Sequence, residues 1–513
     1  MDTLQQLVNG FAIALTWQNL LLALVGCFLG TMIGALPGLG PSNGVAILIP
    51  VVFSMGLGAT PALILLTSVY YGAMYGGRIS SILLNIPGDE PAMMTCLDGY
   101  PMARQGQAGQ ALAISGIASF IGAFVATWGL VLLAPQLVDV ALLFGPAEYF
   151  AMFTLAFATL GGVTSNNQAK AALAAAIGLA LAFVGVDGQT GVPRFTFGNV
   201  HFYDGIDFLI AIVGMFALSE VLVFIEERGK ADSHTNQKAP QLGRITPPWS
   251  MVRQTLPSMG RGTLLGFFAG VLPGAGASLG SFMAYSLEKK AVGKKGFFGK
   301  GDPRGVAAPE AGNNAAAGGA MVPMLALGVP GSGTTAVLLA MLMSLDITPG
   351  PLLFTNNADV VWGLIAALFI ANFMLLAMNL PMVGLFTQVL RIPTHYLMPA
   401  VAMISFVGIY ALTNSTFDLM LMIGFGVLGW VFRKLNIPMV PVILGILLGE
   451  LMEKNLRRAL TISDGDLSIL YASPLAMGFL LVAAAGFILP IFVGKFMRPS
   501  RAVEEAHGDG TSD

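Results

Sequence analysis

Apolar residues run along this chain in continuous stretches and do not alternate with polar ones. The clearest are 59 to 86, 110 to 134, 168 to 186, 206 to 225, 357 to 380 and 468 to 494. Each comes near or exceeds the roughly 20 residues that a helix needs to cross a bilayer core about 30 Å thick. Strands of a membrane barrel would alternate in and out over about 10 residues, so the runs predict helices. The expectation is an all-α polytopic membrane protein with about 10–12 transmembrane helices.

Polar interruptions break the pattern at fixed places. GALPGLGPSNG, 34 to 44, lies between LLLALVGCFL and VAILIPVVF, where a spanning helix should continue. The stretch has a twin. GCFLGTMIGALPGLGPSNG (26 to 44) superimposes on GTLLGFFAGVLPGAGASLG (262 to 280) with ten of nineteen positions identical. A second pairing sets ILLNIPGDEP (82 to 91) against LALGVPGSGT (325 to 334), and LDGYP (97 to 101) then matches LDITP (345 to 349). Transporters are often built from two related halves, and such order-preserving similarity is their signature. The division expected is a first membrane repeat, 1 to 225, a polar cytoplasmic linker, 226 to 255, a second membrane repeat, 256 to 498, and a polar cytoplasmic tail, 499 to 513.

Loop charge orients the halves. The second copy of the break is flanked by Arg253, Arg261, Lys289, Lys290, Lys294, Lys295 and Lys300, whereas the first 77 residues contain no Lys or Arg. Basic loops favour the cytoplasm. Each arm of about 13 residues reaches only roughly 20 Å, which suits a re-entrant hairpin. The repeats are therefore expected to be inverted, with re-entrant hairpins and broken helices. The tail with Lys495, Arg498 and Arg501 is expected in the cytoplasm. Arg433-Lys434 and Lys454 to Arg458 also read as cytoplasmic, although only 19 residues lie between Lys434 and Lys454.

Composition agrees with the membrane class. Of 513 residues, 55% are hydrophobic and only 10% charged, against about 25% charged in soluble domains. A net charge of -2 gives no electrostatic case for nucleic acid. Cys27 and Cys96 lie in apolar context, and His201, His234, His395 and His507 are scattered, so no metal site is expected. The N-terminus lacks the basic region of a cleavable signal and reads as retained.

Broken helices leave unpaired backbone amides and carbonyls, which cost several kcal/mol each in hydrocarbon unless buried in protein or facing a wet cavity. The four tips, at Pro37, Gly38 and Gly40, at Pro87 and Gly88, at Pro273, Gly274 and Gly276, and at Pro330 and Gly331, are therefore expected to converge. Helix N-termini there favour anions and free carbonyls favour cations. Candidate substrate-binding groups are Ser42, Asn43, Asn85, Ser278, Asn313, Asn314, Ser332, Thr334 and Thr335, although the hydroxyls and amides would serve equally as helix caps. Arg78, inside a long apolar run, would meet a substrate carboxylate, or else pair with Asp89 or Glu90 or reach the surface. Asp89 and Glu90 are the cation-coupling candidates. Packing is the expected role of Gly26, Gly30, Gly34, Gly262, Gly266 and Gly270.

GVPGSGTT (328 to 335) lacks the lysine of a phosphate-binding loop, and GLGPSNG lacks the strand of a dinucleotide site. Asp89 and Asp204 do not stand in the setting of an intramembrane aspartyl protease. No catalytic constellation is evident.

The stretch YYGAMYGGRISSILLNIPGDEPAMMTCLDGYPMARQGQAGQAL (70 to 112), with GALPGLGPSNG, GVLPGAGAS and GVPGSGTTA, resembles the large membrane subunit of the tripartite tricarboxylate transporters, the TctA type. The resemblance implies a bacterial inner membrane, a small four-helix membrane subunit and a periplasmic substrate-binding protein. It implies uptake of citrate or related carboxylates driven by an ion gradient, sodium or proton, without ATP or another cofactor. Its motif positions fall on Pro37, Gly38, Gly40, Asn85, Pro87, Gly88, Asp98, Gly99, Pro273, Gly274, Gly276, Pro330 and Gly331. The alternative is a channel or exporter for small anions that works without a binding protein.

Overall fold

The computed structural model describes residues 3–163, 167–227, 242–273, 276–390 and 394–496. Residues 228–241 of the linker, the tail and Gly274 lie outside the described residues. Helix α1 (Thr3–Ala14) precedes α2 (Trp17–Ala35) and α3 (Gly40–Ser54), which flank the first break. α4 (Ala59–Leu84) ends at the second break, after which α5 (Met93–Met102) passes through a π turn into α6 (Ala108–Ala141). α7 (Pro146–Val163) and α8 (Gln168–Ala182) lead to a short antiparallel ribbon, β1 (Gly185–Val186) with β2 (Pro193–Arg194). α9 (Phe208–Ile212) then runs through a π stretch into α10 (Ser219–Glu227).

After the linker, α11 (Trp249–Val271) and α12 (Gly276–Val292) flank the third break, and α13 (Pro303–Leu327) and α14 (Gly333–Ser344) flank the fourth. α15 (Leu353–Asn356), α16 (Ala358–Asn379), α17 (Val383–Val389), α18 (Thr394–Thr413) and α19 (Thr416–Lys434) follow, then α20 (Val440–Ile462), α21 (Ile469–Ala472) and α22 (Pro474–Phe496). Six helical stretches among the described residues are long and apolar enough to cross a membrane: Trp17–Ala35, Met93–Ala141, Phe208–Glu226, Ala358–Asn379, His395–Thr413 and Thr416–Lys434. The chain is an all-α polytopic membrane protein. α4 and α13 are equally long but more polar. Both are buried almost throughout, so neighbouring helices shield their polar residues from lipid.

Glycines set the closest approaches. On α2, Gly26, Gly30 and Gly34 press on the carbonyls of Leu65, Val69 and Ala73 in α4. On α11, Gly262, Gly266 and Gly270 press on those of Ala308, Gly312 and Ala316 in α13. A Cβ at any of the six would lie closer than 3.0 Å to backbone oxygen. Packing is thus their role, and the contacts keep the sequence register, since each residue of the first set pairs with its counterpart in the second. Helices from either side of the linker also interleave: α6 packs on α13, α1 on α16, α7 on α22 and α8 on α20.

The C-terminal end of α12 meets the middle of α11. Glu288 accepts hydrogen bonds from Ser258 Oγ and from Nε and Nη2 of Arg261, all at 2.8 Å. The two helices therefore form a hairpin that opens at one end.

Ion pairs fix the sides of the last helices. Arg433 pairs with Glu220 and Lys434 with Glu226, at the linker end of the Phe208–Glu226 span. Arg457 pairs with Asp187 at 3.1 Å, and His201 stacks on Phe417 at 4.6 Å, both beyond the other end of that span. Lys434 and Lys454 to Arg458 thus stand toward opposite ends of α20, beside opposite ends of that span. The sequence reading sets both clusters in the cytoplasm with 19 residues between them; the structure sets one continuous helix between them. Of the second cluster, Arg457 is held by Asp187 in the ribbon loop and by Glu453 on α20, and Glu453 also lies 2.8 Å from Arg194. The Gln189 N–H, helped by Arg457 and Arg194, holds the Asp187 carboxyl down at about 2, so this brace stays charged at any ordinary pH.

Two outcomes are expected. Gly266→Leu drives side-chain atoms into the Gly312 backbone and lowers stability by about 1–3 kcal/mol or more. Gly260→Ala, where a Cβ meets open space, leaves it unchanged, as thermal unfolding in detergent will show. A membrane-impermeant maleimide should label Gln189→Cys and Leu467→Cys from one side of the membrane and Leu435→Cys from the other. Labelling of all three from one side would show that the two ends of α20 do not stand on opposite sides of the membrane.

Candidate functional site

Each break is built by residues that stop a helix. Gly38 and Gly40 take φ of +83° and +61°, and Gly276 takes +63°, so a left-handed turn separates each pair of hairpin helices. α4 and α13 both end on a left-handed residue, Asn85 at φ +59° and Gly328 at +71°. Asn85 and Gly328 are counterparts in the paired sequences. Asparagine tolerates this conformation best after glycine. Asn85 is exposed, so its place in the motif is explained by the backbone turn.

The breaks touch one another. Gly38 N–H donates to the Gly88 carbonyl at 3.3 Å, joining the first break to the second. Gly88 lies against the Gly34 carbonyl and Gly77, and Gly331 lies against the Gly270 carbonyl and Ala320. Across the halves, the Ser42 and Thr334 hydroxyls are 2.9 Å apart. Pro37 and Gly38 are exposed, whereas Gly88, Pro330 and Gly331 are buried.

The other candidates divide by role. Ser332 caps α14 by accepting from Thr335 N–H at 3.2 Å, and the Thr335 hydroxyl accepts from Ser332 N–H at 2.8 Å. That is a reciprocal cap. Asn43 donates to Glu220 at 3.4 Å. Asn314 donates to the Glu310 carbonyl one turn back, at 3.1 Å. Asn313 is buried, and neither amide atom has a hydrogen-bond partner. Ser278 is half-buried and makes no hydrogen bond among the described residues. Asp89 is buried, with Oδ1 accepting from Ala92 N–H at 3.0 Å and Oδ2 unpartnered, while Glu90 is exposed.

Arg78 is only 1% exposed and meets neither Asp89 nor Glu90. Its Nη1 donates to Ser119 Oγ at 3.3 Å, and Ser119 Oγ donates to Glu310 Oε2 at 3.1 Å. Glu310 Oε1 accepts from Thr95 Oγ1 at 2.6 Å. Nη2 reaches Asn379 Oδ1 at 3.5 Å, and the guanidinium lies 4.8 Å over the Tyr75 ring. Gly116 on α6 leaves room for it. The expected pairings of Arg78 with Asp89 or Glu90, or with the surface, are thus replaced by a charge pair bridged through one hydroxyl. Sequence reasoning missed Glu310. The signal was present, since Glu310 is the one charged residue between Arg304 and Asp346.

Asp98, of the LDGYP element, is fully buried. Its Oδ1 accepts from the N–H groups of Gly299, Gly301 and Asp302 at 2.8 to 2.9 Å, and Oδ2 accepts from Tyr285 at 3.0 Å. It clamps the loop that starts α13, where Asp302 caps the helix through Arg304 N–H.

A family model described as the tripartite tricarboxylate transporter TctA family matches residues 20–444. The chain belongs to the TctA family. It is 38% identical over 495 residues to an Agrobacterium vitis protein described as an uncharacterized 52.8 kDa protein in the TAR-I ttuC' 3' region, covering 96% of this chain and 97% of that one. It is 39% identical over 233 residues to a second A. vitis protein, described as uncharacterized and in the TAR-II ttuC' 3' region, covering 45% of this chain and 96% of that one. No solved structure matches. Membership makes this TctA-family chain a component of a transporter that works with partner subunits.

Asp98→Ala removes a charged acceptor from three backbone donors, each such bond being worth about 1.5–3 kcal/mol. Lower thermal stability and faster proteolysis within 293 to 302 are expected, with the Ser42 region unaffected.

Proposed function

We propose that this chain is the large permease subunit of a binding-protein-dependent secondary transporter in a bacterial inner membrane. It takes up tricarboxylates or related carboxylates on an ion gradient, sodium or proton, together with a small four-helix membrane subunit and a periplasmic binding protein. The observation that carries the reading is the meeting of the first and fourth breaks at Ser42 and Thr334 in a TctA-family chain. Broken helices bring N–H groups, carbonyls and neutral hydroxyls to one place, which suits a small polyanion. Arg78 supplies the cation, and Asn313 an amide free to bond to ligand.

The two halves are, in this reading, copies of one unit in opposite orientation. Matched glycine contacts support the copy, and the flanking charges support the inversion. Substrate would reach the breaks from alternate sides as the halves move.

Reconstitution with the small subunit, followed by labelled citrate uptake with and without a sodium gradient and binding protein, tests the reading. Uptake indifferent to both additions would point to a channel or exporter. Ser278→Ala removes a hydroxyl without a protein partner, so stability should change by less than about 0.5 kcal/mol. If that hydroxyl bonds to ligand, uptake at low substrate falls about tenfold, the equivalent of roughly 1.4 kcal/mol. Unchanged uptake would remove Ser278 from the site.

A further inference from the structure

We propose that Glu310 is the proton-carrying group of the transport cycle, released to take up a proton when a substrate carboxylate draws Arg78 away from it. The inference rests on the carboxylate-transport reading above and extends it to the coupling ion. A guanidinium has five N–H donors. Arg78 spends them on two long bonds, 3.3 Å to Ser119 and 3.5 Å to Asn379, and its buried Nε has no acceptor. A buried cation so poorly satisfied has bonding capacity left for an anion.

In this proposal an anion approaches it from the second break. Arg78 follows Gly77, and Gly77 packs directly on Gly88 and Asp89 of the second break. A carboxylate entering there becomes the better partner for Arg78, because it can accept two parallel bonds from a guanidinium. Glu310 then loses the cation that balances it in a dry interior, and an uncompensated carboxylate in such a place binds a proton. The proton comes from water on the entry side and goes onto a Glu310 carboxylate oxygen. When substrate leaves, Arg78 returns to Ser119 and the proton departs to water on the other side.

A proton suits Glu310 better than a metal cation, since the neighbours bonded to its carboxylate are two hydroxyls, Thr95 and Ser119, a sparse ligand set for a metal. No cluster of three acidic, histidine or cysteine ligands stands among the described residues. The ionisable groups facing Glu310 are Arg78 and Tyr75 on α4, Cys96 on α5 and Asp89 before it. Asp98 and Glu288 are engaged elsewhere, by the 299 to 302 backbone and by Arg261.

The test uses the full chain with its small subunit in liposomes containing a pH dye, with labelled citrate as the probe. Wild type should take up protons with citrate, and its citrate affinity should rise about tenfold per unit fall in pH where one proton is linked to binding. Glu310→Gln should still bind citrate and exchange it across the membrane, with affinity independent of pH, no proton uptake and no accumulation against a gradient. Ser119→Ala, which cuts the bridge but keeps both charges, should shift the pH dependence without abolishing it, and covers the case of a Glu310→Gln protein that does not fold. Proton-coupled accumulation by Glu310→Gln would overturn the proposal, as would loss of coupling in Asp89→Asn alone. Wild-type uptake driven by sodium without proton movement would overturn the proposal but leave carboxylate transport standing. Absence of citrate binding at any pH would overturn both.

Discussion

Backbone groups freed at a helix break must be sheltered, and in this chain the shelter is helix-to-helix contact without side chains between. Gly30 and Gly34 on α2, and Gly266 and Gly270 on α11, bring backbone against backbone. Only that approach lets Gly88 sit on the Gly34 carbonyl and Gly331 on the Gly270 carbonyl. Widen either pair by one methyl group and the breaks lose their walls. The polar contacts between breaks, such as Ser42 with Thr334, depend on those glycines without touching them.

The buried charges obey a second constraint. Arg78 comes from a helix before the linker and Glu310 from one after it, and neither is tolerable alone at such depth. Ser119 on α6 stands between them, so three helices share one charge balance. Asn379 extends it to α16, and through Thr31 to α2. Any rearrangement of the halves must break or re-form a bond in this set, and the hydroxyl bridge yields more easily than a direct ion pair would.

Much of the helical frame is legible in the sequence because lipid and protein demand the same continuous apolar run. The stretches 59 to 86 and 357 to 380 became α4 and α16 almost to the residue. Prolines and glycines likewise announce the breaks, since their backbone effects are local. Partnership between distant side chains is not local. Nothing near Arg78 names Glu310, and nothing near Lys454 to Arg458 names Asp187, which pairs with Arg457 from the ribbon loop. The hydroxyls past each break were legible as polar groups, and the Ser332-x-x-Thr335 spacing marks a cap, but no spacing announces that Ser42 crosses to Thr334.

α5 explains why the NIPGDEP and LDGYP elements stand so close together. Asp89 turns the chain into the helix through Ala92 N–H, and one turn later Thr95 holds the Glu310 carboxylate. Three residues further, Asp98 grips the loop that begins α13. A ten-residue helix thus connects the second break to α13 at two points, one on the charged side chain and one on the backbone at its N-terminus. The backbone grip, with three N–H donors on one carboxylate oxygen, is the stronger. The Thr95 bond is the one that can change partners, so a shift of the break relative to α13 is felt first at Glu310.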